Sequence, residues 1–203
     1  MYSIYQKVCN NNWREILELI VPHDKVGYKA TPHNVVHWYS EKYGYDVEEY
    51  KVTTADGFIL CLQRISQKGT TKKKKRGHPV LLQHGLFQSA GIFVVSNKKK
   101  SLAYYLCDLG YDVWLGNNRG VYEDHSHLTS KDPRYWDWNI HDLGRFDFPT
   151  MVQYVHTQTE QRVTFIGHSQ GNAQAFAGLC HDPDIAQYLD LFVALAPALN
   201  IGH

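Results

Sequence analysis

Short apolar runs alternate with amphipathic stretches over the second half of the chain. Four runs of mostly apolar residues predict buried strands at 79–83, 111–115, 163–166 and 191–195. Helix-like spacing of apolar residues between these runs predicts helices at 101–109, 140–156 and 170–179. Strands that alternate with helices form βαβ units, which pack into a parallel sheet with helices on both faces. The pattern therefore predicts an α/β fold with a mostly parallel sheet.

The first third of the chain has a different pattern. Residues 1–30 are predicted to form an amphipathic helical lead-in, because apolar residues recur there at helical spacing. A second helix is predicted at 33–43, where Gly44 ends it. Two strands with a turn between them then predict a hairpin at 46–52 and 58–65. This hairpin precedes the alternating units.

The segment RVTFIGHSQGNAQAF at 162–176 carries the most informative motif. An apolar strand pattern stops at a G-x-S-x-G sequence centred on Ser169, and a helix pattern follows it. This is the setting of a nucleophile elbow, a strained turn that lifts a serine hydroxyl above the sheet. Free N–H groups at the start of a helix favour a developing negative charge beside that serine. Ser169 is therefore predicted as a nucleophile, the alternative being a chance match in an ordinary turn.

A second motif lies in VLLQHGLFQSAG at 80–91, where a buried strand ends at His84-Gly85. In a fold with a nucleophile elbow, one oxyanion donor is the N–H of the residue after the nucleophile, and the other comes from the loop after the third strand. Gln170 and Leu86 occupy these two positions. They are predicted to donate through their backbone N–H groups. The alternative is that His84-Gly85 is a plain turn at a strand end.

Composition limits the class of protein. The 203 residues are 43% hydrophobic and 20% charged, with a net charge of +1, which fits a globular domain and shows no bias towards nucleic acid. The sequence has neither an apolar run of about 18 residues nor a secretory signal pattern, so no spanning helix or signal peptide is predicted. The scattered cysteines and the lack of an N-x-[ST] sequon favour an intracellular chain.

Two further features allow alternative interpretations. His33 and His37 have the spacing of two zinc ligands on a helix, but the glutamate of H-E-x-x-H is missing, so neither a metal site nor a cofactor is predicted. Basic residues occur at Lys68, 72–76 and 98–100. They form either solvated loops or a surface that contacts an anionic membrane or a lipid droplet.

Five blocks of the chain resemble one known family in the same order. They are YGYDVEEYKVTTADGFILCLQRI, LLQHGLFQSAG, SLAYYLCDLGYDVWLGNNRG, YWDWNIHDLGRFDFPTMVQYV and FIGHSQGNAQAF. Together they resemble the acid-lipase and steryl-ester-hydrolase group of the α/β-hydrolases, and GYDVEEY, GNNRG and ALAPAL are closer to the fungal steryl ester hydrolases. The resemblance runs from about Asn34 to Ala198.

The resemblance implies an α/β-hydrolase fold and hydrolysis of lipid esters, either sterol esters or acylglycerols. Ser169 would be the nucleophile, and the N–H groups of Leu86 and Gln170 would form the oxyanion hole. The lead-in at 1–30 would precede a lipase domain at 31–203. Residues 31–95 would be its lipase-associated N-terminal region, with the hairpin and the oxyanion loop.

The sequence departs from the family after the elbow. In this fold the triad follows the chain order Ser, Asp or Glu, then His, but few candidates follow Ser169 here, namely His181, Asp182, Asp184, Asp190 and His203. None of them is placed where the family has its acid or its base. We therefore expect the chain to hold only the N-terminal part of the fold, as a fragment, a truncated gene product or a degraded paralogue. The function is then either a serine lipase or esterase, or a non-catalytic, vestigial lipid-associated protein.

Overall fold

A computed structural model describes residues 34–69 and 77–198. The predicted lead-in at 1–30, the basic run at 72–76 and His203 lie outside the described residues. The described residues form six strands: β1 (Tyr45–Thr53), β2 (Ile59–Gln67), β3 (Pro79–Gln83), β4 (Asp112–Gly116), β5 (Val163–His168) and β6 (Leu189–Leu195). The principal helices are α1 (Val35–Tyr43), α2 (Leu102–Asp108), α3 (Phe148–Thr159) and α4 (Gln170–His181).

The strands form one sheet in the order β1-β2-β4-β3-β5-β6. Strands β4, β3, β5 and β6 are parallel, with Val80 of β3 aligned to Val113 on one side and to Thr164 on the other. The predicted hairpin is β1 and β2, and β2 joins the sheet antiparallel to β4. The structure confirms a mostly parallel sheet with an antiparallel hairpin at one edge.

Each face of the sheet is covered by helices, so alternate strand residues enter two separate cores. Val80 and Leu82 face one core, which also contains Tyr39 of α1 and Tyr104 of α2. Leu81 faces the other core, where α3 and α4 pack through side chains that include Phe148, Met151 and Ala175. Strands that are buried on both faces carry continuous apolar runs, which is why the sequence pattern identified them.

Among the element boundaries that differ from the predictions, two affect the description of the chain most. Strand β6 begins at Leu189 rather than 191, so Asp190 lies inside the strand. The helix predicted at 140–156 is interrupted: a turn at Ile140–Asp142 leads into a π-helix at Leu143–Asp147 before α3 begins. A Cβ on Gly144, within this π-helix, would lie 2.8 Å from the backbone nitrogen of Gly178 in α4. The glycine allows the two helical segments to pack against each other.

A buried arginine connects the loop after β4 to two other segments. The Arg119 Nε donates to Asp147 Oδ1 at 2.8 Å, and its Nη1 donates to Asp56 Oδ2 in the hairpin turn at 2.7 Å. Burial raises the pKa of the Asp147 carboxyl to about 6, against the opposing effect of the Arg119 guanidinium. Because the Arg119 side chain is only 1% exposed, it braces the fold and does not face a substrate.

Replacing Arg119 with methionine should lower the free energy of unfolding by about 3–5 kcal/mol, since the buried Asp147 carboxylate would lose its counter-charge. The matched control is Arg134→Met, because Arg134 forms an ion pair with Asp132 at the surface, with 76% of the arginine side chain exposed. Urea denaturation measures the free energy of unfolding of both variants. An equal decrease in the two variants would contradict the bracing role of Arg119.

Candidate active site

Ser169 is the single residue between the end of β5 and the start of α4. Its backbone has φ 53° and ψ −116°, a strained conformation for a residue with a side chain. The Ser169 N–H donates to the Leu195 carbonyl of β6 at 3.0 Å, and the Ser169 carbonyl accepts from the Asn172 N–H at 3.1 Å. The predicted sharp turn is therefore present, with hydrogen bonds from two neighbouring elements to hold it.

The two glycines of the motif lie where the backbone packs most closely. A Cβ on Gly171 would lie 2.7 Å from the Gln83 carbonyl oxygen and 2.8 Å from the His84 carbonyl oxygen. A Cβ on Gly167 would collide with the Asn172 side chain and lie 3.0 Å from the Asn172 nitrogen. The first turn of α4 therefore rests directly on the end of β3.

This packing also brings the loop after β3 to the elbow. A Cβ on Gly85 would lie 2.9 Å from Ser169 Cβ, and the next residue, Leu86, is 42% exposed. Gln170 is the first residue of α4, so its N–H has no acceptor within the helix. The structure thus brings Ser169, Gln170 and the residue before Leu86 together at one edge of the sheet. That Leu86 and Gln170 donate to an oxyanion stays a prediction.

His84 is a buried part of this loop. Its Nδ1 lies 2.8 Å from the Gly85 carbonyl oxygen, and its Nε2 lies 3.2 Å from the Asn118 backbone nitrogen. A carbonyl oxygen can only accept, so Nδ1 carries the proton and Nε2 accepts from Asn118. Burial lowers the pKa of His84 to about 4, with a smaller contribution from His168. His84 is therefore a neutral structural residue whose two nitrogens are both in use.

A set of buried amide side chains lies beneath the elbow. Gln83 and Gln174 each donate to Asn118 Oδ1 at 3.0 Å, and Asn118 Nδ2 donates to Gln174 Oε1 at 2.8 Å. The neighbouring Asn117 accepts from the Ala90 N–H at 2.9 Å. These bonds join the ends of β3 and β4 to α4. In the sequence, Asn117 and Asn118 directly follow a buried strand, on the side where ligands bind in α/β folds, but no local pattern shows that Asn118 bonds to Gln83 and Gln174.

The candidate acids and bases after Ser169 are not brought to it. His181 is the last residue of α4, and a 12-residue helix separates it from Ser169 by about 18 Å. Asp190 lies near the start of β6, where its carboxylate is 3.7 Å from His78. Asp182 accepts from the Asp184 N–H beyond the far end of α4. Within residues 34–69 and 77–198, no side chain forms a hydrogen bond with the Ser169 hydroxyl.

The described residues also bear on the histidine pair at 33 and 37 and on the question of a membrane span. His37 lies in α1 with its Nε2 2.9 Å from Glu49, whereas His33 lies outside the described residues. No group of three or more His, Cys, Asp or Glu side chains in the described part of the chain is arranged to hold a metal ion. No described helix has the length and apolar character that crossing a membrane requires.

Two family models match the chain. The model described as the partial alpha/beta-hydrolase lipase region matches residues 36–97. The model of the alpha/beta hydrolase fold matches residues 78–189. Together the matched ranges contain the hairpin, the loop after β3 and the elbow.

Similar proteins include lipases and sterol esterases. Human Lipase member K is 36% identical across 100% of this chain and 52% of its own length. Sterol esterase 2 of Saccharomyces cerevisiae is 38% identical across 81% of this chain and 33% of its own length. The chain thus spans about half or less of the length of these curated relatives.

A solved structure of esterase Est22 shares the fold, with a TM-score of 0.59 and 16% identity over 97% of this chain and 55% of that chain. This likeness agrees with the order of strands and helices described above. The chain therefore belongs to the α/β-hydrolase family and carries its lipase region at residues 36–97, as the resemblance to acid lipases and steryl ester hydrolases predicted.

Proposed function

We propose that this protein is a carboxylic ester hydrolase that acts on lipid esters, with Ser169 as its nucleophile. The observation that carries the proposal is the strained Ser169 turn, which packs directly against Gly85 of the loop after β3. The names of the relatives, Lipase member K and Sterol esterase 2, support a lipid ester as the substrate class.

In the proposed reaction, Ser169 Oγ attacks the carbonyl carbon of the ester. The carbonyl oxygen becomes an oxyanion, which accepts hydrogen bonds from the N–H groups of Leu86 and Gln170. The proton of the Ser169 hydroxyl passes to the alcohol as it leaves, and the acyl group stays on Ser169. Water then attacks the acyl carbon, releases the fatty acid and returns a proton to Ser169 Oγ. Because both donors are backbone groups, their positions depend on the turn geometry rather than on side-chain chemistry.

A serine hydroxyl is a weak nucleophile until a base takes its proton. The proposal assigns neither that base nor its acid partner to residues 34–69 or 77–198, because no described side chain is bonded to the Ser169 hydroxyl. A second candidate function is a non-catalytic lipid-associated protein that keeps the fold without turnover. The two candidate functions differ in whether the protein hydrolyses esters in a reaction that depends on Ser169.

The proposed partner surface is an anionic membrane or lipid droplet. Lys98, Lys99 and Lys100 are exposed and directly precede α2. The Lys98 ammonium lies 4.8 Å from the centre of the Tyr45 ring, at the start of β1. Tyr45 pairs with Gln67, beyond the amino end of β4, so this cation lies towards the edge of the sheet opposite Ser169. The proposed contact with lipid therefore rests on the exposed cations and not on closeness to the nucleophile.

The 203-residue chain should hydrolyse esters slowly, and Ser169→Ala should remove the hydrolysis that remains. In serine proteases, the oxyanion hole and binding alone leave roughly 10³–10⁴-fold acceleration over water, which is an upper guide here. A chain extended with the acid and histidine region of a longer relative should be far more active. A soluble short-chain ester and an emulsified sterol ester provide the assays.

Two outcomes would contradict the proposal. If Ser169→Ala hydrolyses both esters as fast as the unaltered chain, Ser169 is not the nucleophile and the non-catalytic function is favoured. If the 203-residue chain turns over rapidly and His181→Ala abolishes that turnover, the placement of His181 away from the site is wrong.

Replacing Lys98, Lys99 and Lys100 together with alanine should weaken binding to vesicles that contain phosphatidylserine. Each lysine near an anionic surface contributes about 1 kcal/mol, or roughly a fivefold change in affinity. The control removes three cations elsewhere, at Lys51, Lys131 and Arg162. Sedimentation with vesicles at low salt measures both variants. Equal weakening would show that the charge of the whole chain, and not these three lysines in particular, attracts the surface.

A further inference from the structure

One side chain connects the loop after β3 to the strand that ends at the elbow. Gln88 Oε1 lies 2.8 Å from the Gly85 backbone nitrogen and 3.2 Å from His168 Nδ1. A backbone N–H can only donate, so the side-chain atom that it meets is the oxygen. That oxygen can only accept, so His168 Nδ1 must donate to it. A single amide oxygen therefore holds the loop against the residue that precedes Ser169.

The two peptide groups on either side of Gly85 are both held by side chains. Gln88 accepts from the Gly85 N–H, and the His84 ring donates to the Gly85 carbonyl. The peptide unit between Gly85 and Leu86 is planar and trans, so the Leu86 N–H points opposite to the Gly85 carbonyl. Fixing the Gly85 backbone therefore fixes the direction of the Leu86 N–H.

The same short loop contains a strained residue. Phe87 has a positive φ of 58°, which is unfavourable for a bulky side chain. Such a conformation persists only where surrounding contacts hold it. The bond from Gln88 back to Gly85 closes the turn around Phe87, so it opposes the tendency of the loop to relax.

We propose that Gln88 is a positioning residue for the oxyanion hole. Its side-chain oxygen holds the loop that carries the Leu86 N–H against the strand that carries Ser169. Gln88 acts through the backbone and takes no part in the chemistry. This inference rests on the proposed function, because the direction of the Leu86 N–H affects catalysis only if Ser169 attacks an ester carbonyl.

Two substitutions separate the hydrogen bond from the bulk of the side chain. Gln88→Met keeps the length of the side chain and removes the acceptor, whereas Gln88→Glu keeps an oxygen for both donors. Gln158→Met serves as the matched control, because Gln158 is exposed on α3. All variants are made in the 203-residue chain, and the Tm of each is measured first.

Amide hydrogen exchange followed by NMR gives the first readout. Exchange at the Gly85 amide should rise about tenfold in Gln88→Met, as expected for the loss of its partly buried hydrogen bond. It should stay near the unaltered level in Gln88→Glu and Gln158→Met. If Gln88→Met fails to fold, His168→Ala removes one of the two donors, and a smaller rise at the same amide is expected.

Hydrolysis of a soluble short-chain ester gives the second readout. In Gln88→Met, kcat should fall about tenfold with little change in KM, because a misplaced oxyanion donor weakens the transition state more than substrate binding. Gln88→Glu should restore kcat. A general loss of stability would instead lower the amount of active protein in both Gln88→Met and Gln88→Glu.

The two readouts distinguish failure of this proposal from failure of the proposed function. Unchanged exchange at the Gly85 amide in Gln88→Met would overturn the role of Gln88, whatever the activity. Raised exchange with an unchanged kcat would also overturn it, since the loop would then be irrelevant to the reaction. If the unaltered chain has no activity that depends on Ser169, the proposed function fails, and the exchange data still decide whether Gln88 holds the loop.

Discussion

The close approach of α4 to the end of β3 is the contact on which the candidate site depends. The carbonyl oxygens of Gln83 and His84 occupy the space where a side chain at position 171 would project. Only glycine allows the first turn of α4 to rest on these carbonyls. Because the helix lies there, Ser169 at its start comes against Gly85 at the strand's end. Without this contact, the turn at Ser169 would not lie against the loop after β3.

This contact requires a strained backbone and buried polar groups, and hydrogen bonds offset the destabilisation that both cause. Ser169 has an unfavourable backbone conformation, and amide groups are buried beneath it. A buried amide is costly unless its donors and acceptors are satisfied. Bonds among Gln83, Asn118 and Gln174 supply most of these partners and also join three elements. The buried amides would destabilise this region if they were unpaired, and their hydrogen bonds are therefore what specifies its geometry.

The features that the sequence predicted are those determined by residues close together in the chain. The strand at Pro79–Gln83 and the turn at Ser169 are marked by apolar runs and by glycines at fixed offsets. The roles of Gln88 and His84 depend on contacts formed only after β3 and β5 align, so no local pattern shows them. The start of β6 was missed for a similar reason. Asp190 is polar at an edge of the sheet, where more than half of the strand residues are exposed.

In the proposed oxyanion hole, the N–H groups of Leu86 and Gln170 point towards one position beside Ser169 Oγ. The most direct test is a crystal structure of the chain after long incubation with an activated alkyl phosphonate. The account predicts phosphorus bonded to Ser169 Oγ, with the phosphonyl oxygen about 3 Å from both Leu86 N and Gln170 N. An adduct on another residue, or a phosphonyl oxygen that contacts neither nitrogen, would contradict it.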